Sequence, residues 1–100
     1  PDINDYLQTY NISMAFMACT GVTMKSGLTN ASAEEYITKK AIAENANSMI
    51  LLADHSKFGR ISLMTYSSME KLDAIVTDQS LPEEYDSFCQ EHGIRVMTID

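Results

Sequence analysis

Four short runs with apolar centres, Met14–Ala18, Met49–Ala53, Asp73–Asp78 and Ile94–Ile99, stand out in a chain whose other stretches are mixed or polar. Runs of that length without strict alternation read as strands buried in a sheet. Between the first two, Ser32 followed three residues later by Glu35 is a capping-box signature. Tyr36, Ile37 and Ala41 then share one face, which predicts a helix over Ala33–Ala46. Between the last two, Ser80, Pro82 and Glu83 open a helix that carries Tyr85, Phe88 and Cys89 and stops at Gly93. Ahead of them all, Ile3, Tyr6, Leu7 and Tyr10 at helical spacing, with Pro1 suited to a first turn, predict a short amphipathic helix over Pro1–Tyr10. Cys19–Asn30, punctuated by Gly21 and Gly27, reads as a loop, and Ile61–Ser67 as a short strand or an extended edge.

Strands alternating with helices over short links imply parallel pairing. The expected fold is α/β: a three-layer, mostly parallel, Rossmann-like sheet with helices on both faces. The chain opens at Pro1 and on a helix rather than a strand. The expectation is therefore a single-domain piece over residues 1–100 that lacks the first strand of its sheet.

Where the apolar runs end, the chemistry changes. Leu51–Gly59, "LLADHSKFG", passes from leucines to an acid, an imidazole, a hydroxyl and an amine within a few residues. In an open parallel sheet, ligands bind in the crevice beyond the carboxyl ends of the strands. Asp54 and Lys57 are therefore candidate ligand contacts, set against the plainer reading of a solvated turn. Asp54 serves either to cap that turn or to orient Lys57. His55 is expected as an exposed side chain rather than a contact.

The charge balance narrows the partners. Fourteen acids against seven bases give a net charge of −7, which makes this stretch a poor binder of the nucleic-acid backbone by itself. Cys19 and Cys89 lack metal-ligand spacing and read as reduced thiols of a cytoplasmic protein. No apolar run approaches the roughly 20 residues of a membrane span, and no signal peptide is visible. No metal, cofactor or membrane contact is expected. The methionines, among them Met14, Met17, Met49 and Met97, read as core packing.

Phe16, Gly21, Gly27, Leu28, Thr29, Glu34, Glu35 and Lys39, followed by Ala53, Asp54, Ser56, Lys57, Phe58 and Gly59, trace a recognisable pattern. The chain resembles the effector-binding domain of the DeoR/GlpR family of sugar-operon repressors. In that family a strand ends in F-I-G-A-D-G-I-D, then come G-L-T-T-P, a helix with paired glutamates and a lysine, and the run L-L-A-D-S-S-K-F-G. Val76–Asp78 and Leu81–Tyr85 also match, so the resemblance covers nearly the whole chain, with A-D-x-S-K-F-G its most specific part. It implies a sensor for a phosphorylated sugar or sugar metabolite. DNA would be bound only through a helix-turn-helix absent from this chain, in a homo-oligomeric protein. Thr20 and Thr23 stand where the family motif has acids.

The same domain is similar in fold to ribose-5-phosphate isomerase, which also carries A-D-x-S-K after a buried strand. Eighteen positions before that lysine the isomerases hold a glutamate base; here that position is Lys39. Their D-G-A-D acid pair would fall near Met17 and Thr20. A protonated lysine, with a reference pKa near 10.4, cannot take up the proton that isomerisation moves. The comparison thus implies binding without catalysis. An enzyme of the isomerase-like fold, with Lys57 and Asp54 catalytic, is the alternative, and a pure oligomerisation module a third. The ligand-binding candidates are Lys57, Thr20, Asp54, Lys39, Lys25 and Thr29. Lys39 is divided between the pocket and an i, i+4 pair with Glu35, Glu35 itself reads as a cap, and Lys25 and Thr29 stand between a pocket mouth and a merely hydroxyl-rich loop.

Overall fold

The computed structural model describes residues 3–99. Its elements, in order, are α1 (Ile3–Leu7), β1 (Ile12–Met17), β2 (Gly21–Thr23), β3 (Gly27–Asn30), α2 (Ala33–Asn45), β4 (Ala46–Leu52), β5 (Met64–Ser67), β6 (Ala74–Thr77), α3 (Glu83–Glu91) and β7 (Arg95–Thr98). Single 3-10 turns at His55–Lys57 and Met69–Lys71 complete the chain. β1, β4, β6 and β7 form a parallel sheet in that spatial order. The α/β class and the parallel sheet thus follow the reading of the apolar runs.

The parallel register decides which side chains share a face. Phe16 pairs with Ile50, Ile50 with Ala74, Leu51 with Ile75, and Val76 with Met97. Ala15, Met17, Met49, Leu51 and Ile75 therefore point one way, into a core completed by Val22, Leu28, Tyr66, Met69, Tyr85 and Cys89. The opposite face carries Met14, Phe16, Leu52 and Met97, all exposed, Phe16 by 61%. This corrects two expectations. The first apolar run is buried on one face only, and of the named methionines Met17 and Met49 pack the core whereas Met14 and Met97 do not.

The expected loop at Cys19–Asn30 is a hairpin. β2 and β3 pair antiparallel across residues 24–26, and β5 adds a third strand. Gly27 makes the return possible: its φ is +75°, and a Cβ there would run into the Ser67 carbonyl. The reading of this stretch failed because its buried side chains are partly polar, Thr23, Thr29 and Asn30 among them, so no apolar periodicity marks them.

The helix ends follow their local chemistry. The Ser32 hydroxyl accepts from the Glu35 N–H at 3.3 Å and caps α2. At the end of α3, Gly93 turns left-handed (φ +68°), and Ile94 N–H reaches the Cys89 carbonyl at 2.8 Å, a Schellman closure. α1 is shorter than expected, since Thr9 and Tyr10 N–H groups close a turn onto Tyr6 and Leu7. Tyr6 and Tyr10 face solvent, their hydroxyls 2.8 Å apart. The Pro1 part of that expectation lies outside the described residues. Among the described residues no helix is long and apolar enough to cross a membrane.

Candidate functional site

All four parallel strands release their chains at one edge: Ala18–Thr20 after β1, Ala53–Lys57 after β4, Asp78 after β6 and Ile99 after β7. Two chemically different regions form there.

The first is cationic and lies at the end of β1. The Lys39 ammonium, reaching up from α2, donates to the Ala18 carbonyl at 2.9 Å and to Asn30 Oδ1 at 3.1 Å. The Tyr66 hydroxyl donates to the same Ala18 carbonyl at 2.9 Å, and the ammonium stands 5.7 Å from the Tyr66 ring centre. Asn30, almost fully buried, passes its amide hydrogen to Glu35 Oε2 at 2.7 Å. Lys39 and Glu35 are therefore joined through Asn30 rather than by an ion pair of their own, and the Glu35 carboxylate does not complete the capping box. Cys19, buried next to Ala18, is within electrostatic reach of both Lys39 and Lys57. Burial pushes its thiol up to about 11, although both ammonium groups pull the other way. Burial likewise raises the Tyr66 phenol.

Lys57 sits half-buried in the 3-10 turn after β4. Among the described residues its ammonium has no hydrogen bond or ion pair. Asp54 caps this turn, accepting from the Ser56 N–H at 2.8 Å and from the Ser56 hydroxyl. Those bonds, the hydroxyl's first, hold its carboxyl below the ordinary aspartate value, with a smaller contribution from the Lys57 charge. Of its two possible roles, Asp54 performs the cap. The turn is anchored to the hairpin by Gly59 N–H on the Val22 carbonyl at 2.9 Å.

The second region is a cleft of about 290 Å³ over the ends of β4, β6 and β7. Leu52, Ala53, Val76 and Ile99 supply its apolar wall, and Thr77, Asp54 and Asp78 its polar rim. Asp78 also spans the gap between two strand ends: its carboxylate accepts from the His55 backbone N–H at 2.7 Å and lies 2.9 Å from His55 Nδ1. The imidazole contact holds the Asp78 carboxyl low. The cleft lining includes none of Lys39, His55 and Lys57; Asp54 joins it to the turn that carries His55 and Lys57.

Of the six residues named from sequence, Lys57, Lys39 and Asp54 all lie within electrostatic reach of Cys19, and Thr20, next in the chain, is exposed. Thr29 is buried, and its hydroxyl is spent inside the fold, donating to the Gly21 carbonyl at 2.8 Å and accepting from Ser62 N–H at 2.9 Å. Lys25 is exposed in the hairpin turn, about three residues or roughly 10 Å of strand from the edge. Reading the residues missed Asp78, Asn30 and Tyr66. Asp78 was signalled by the same rule that exposed Asp54, a polar residue at the end of an apolar run. Tyr66 carried no signal, since it meets Ala18 only through the tertiary fold. Among the described residues no three His, Cys, Asp or Glu side chains converge as a metal site needs.

A parallel α/β sheet with polar side chains gathered at its carboxyl edge defines a ligand-sensing or ligand-converting domain of the Rossmann-like class. Residues 1–79 match the family model described as the DeoR C-terminal sensor domain, and the chain belongs to that family. It is 50% identical over 90 residues to the HTH-type transcriptional regulator IolR of Bacillus subtilis, covering 90% of this chain and 36% of that protein. It is 28% identical over 97 residues to the HTH-type transcriptional regulator GlpR of Haloferax volcanii (97% and 38% covered). Against the glycerol-3-phosphate regulon repressor of Escherichia coli K12 the identity is 28% over 92 residues (92% and 36%). The chain thus spans little more than a third of these relatives, and it is a sensor domain of the kind that transcription regulators carry.

Proposed function

We propose that the carboxyl edge of the parallel sheet binds a phosphorylated sugar or sugar metabolite, and that this binding modulates the DNA affinity of a helix-turn-helix elsewhere in the whole protein. The single observation that carries the reading is Lys57: a half-buried ammonium at the strand ends with no hydrogen bond or ion pair among the described residues, next to a second ammonium that is already engaged. A group so placed can make charge-assisted hydrogen bonds to a phosphate or a sugar oxygen. The names of relatives, a glycerol-3-phosphate regulon repressor and an L-fucose operon activator among them, fit effectors of this chemistry. No catalysis is required: an effector that prefers one conformation shifts DNA affinity by its differential binding energy, typically about 1–3 kcal/mol. Homo-oligomerisation, common where a regulator reads paired half-sites, is part of the reading, as is the absence of enzymatic turnover.

The test is calorimetric titration of the full-length protein carrying this chain with glycerol 3-phosphate, glucose 6-phosphate and fructose 6-phosphate, beside thermal melts. Hydrogen bonds to charged groups contribute about 1.5–3 kcal/mol net, so Lys57→Ala is expected to weaken binding roughly ten- to hundredfold. Melting should barely change, because the side chain leaves no packed hole. Equal affinity in Lys57→Ala and wild type refutes the assignment.

A further inference from the structure

The cleft beside Lys57 has a chemistry of its own. Its rim presents carboxylates, those of Asp54 and Asp78, which accept hydrogen bonds and repel anions. The imidazole of His55 stands against Asp78, which takes the His55 backbone N–H on one oxygen and faces ring Nδ1 with the other. An ionised carboxylate can only accept, so Nδ1 carries the proton, and Nε2 is the ring nitrogen left for a ligand hydroxyl, which can both donate and accept. Two contacts from one carboxylate also fix the orientation of the ring. The two carboxylates at this end of the edge accept hydrogen bonds from O–H donors, whereas the ammonium groups of Lys39 and Lys57 stand outside the cleft lining.

We propose that His55 is a specificity-determining contact for the hydroxyl-bearing, uncharged end of the effector, with Asp78 as its positioning residue. The inference rests on the effector-site reading and deepens it. A two-ended ligand is placed with its anionic group toward Lys57 and its hydroxyls over the cleft, where a second phosphate would meet two carboxylates. Asp54 marks the boundary, since it caps the turn whose third residue is Lys57 and also lines the cleft. His55 stands at the x of the A-D-x-S-K-F-G run, inside the turn that Asp54 caps.

The test uses the full-length protein with glucose 6-phosphate, glycerol 3-phosphate and, as the anion alone, inorganic phosphate. His55→Asn offers an amide in place of Nδ1–H and so keeps the clasp to Asp78, but it has nothing at the Nε2 position. His55→Gln places a carbonyl oxygen close to Nε2. One hydrogen bond to a hydroxyl is lost in His55→Asn, so the sugar phosphate that binds wild type best should bind about three- to tenfold more weakly. Inorganic phosphate should be unaffected, and His55→Gln should recover most of the loss. Asp78→Ala should weaken sugar-phosphate binding to a similar extent, Asp78→Asn, with one acceptor oxygen for two donors, should recover it only in part, and in the His55→Asn background Asp78→Ala should cost nothing more. Thermal melts of each variant report folding separately. Wild-type affinity in His55→Asn overturns the proposal, because the pair is then only a latch between strand ends. So does an equal loss for inorganic phosphate. If wild type takes none of the three probes, the effector-site reading itself falls and this inference with it.

Discussion

Asn30 holds the cationic end of the edge together, and removing its amide should cost more than its size suggests. In the native fold Asn30 is 2% exposed and bonds two charged side chains, Glu35 at 2.7 Å and Lys39 at 3.1 Å. Hydrogen bonds to charged groups contribute about 1.5–3 kcal/mol each when fully enclosed. Here Glu35 is exposed and Lys39 half-buried, so both heads can turn to water and the figure falls to about 1 kcal/mol apiece. With a small buried void added, Asn30→Ala is expected to destabilise by about 2–3 kcal/mol. For a full-length protein of about 150–250 residues or more that corresponds to a fall of roughly 4–12 °C in Tm. Asn30→Asp removes the donor and turns the Glu35 contact repulsive. Asn30→Asp combined with Glu35→Gln exchanges donor and acceptor and should regain much of the loss. Circular dichroism melts of the full-length protein and the three variants decide it. An Asn30→Ala protein melting within about 3 °C of wild type, or a double variant no better than Asn30→Asp, would falsify the bridging role.

Whatever depends on short sequence separations was legible. The apolar runs placed all four parallel strands, Ser32 marked the start of α2, and Gly93 marked the end of α3. The rule that polar residues at strand ends form sites picked out Asp54 and Lys57. The same rule applies to Asp78, the polar residue that ends the run before it. What escaped is what only the tertiary fold decides. Thr29 and Asn30 look like loop residues until their neighbours bury them. Glu35 and Lys39 stand one turn apart on a helix, which suggests a direct pair, yet Asn30 arrives from β3 and takes both. Phe16 lies in an apolar run, but a strand has two faces, and only register and covering elements decide which is buried. The destination of Lys39, a carbonyl twenty-one residues upstream, follows from how α2 packs against the end of β1.

Two further outcomes are expected. Gly27→Ala must place a Cβ at positive φ against the Ser67 carbonyl, so it should lose about 2–4 kcal/mol, read as a lowered Tm and faster amide exchange in β3 and β5; unchanged exchange there would mean that the hairpin accommodates the methyl. The second concerns Cys19, whose folded-state thiol ionises only near pH 11 because it is buried. At pH 8 it should label slowly with iodoacetamide despite its two neighbouring ammonium groups, since only the thiolate reacts. The sign of the linkage follows from the same shift: in the unfolded chain this thiol ionises near 9.0 and in the folded chain near 11, so rising pH favours unfolding across that window. At about 1.36 kcal/mol per unit, up to roughly 2.7 kcal/mol of stability should drain away between pH 9 and 11. Cys89 and Tyr66 are raised as well and act in the same direction. The decisive quantity is therefore the difference from Cys19→Ala, whose stability should fall less steeply over that range. Parallel curves for the two proteins would mean that the Cys19 thiol is not held protonated by its burial.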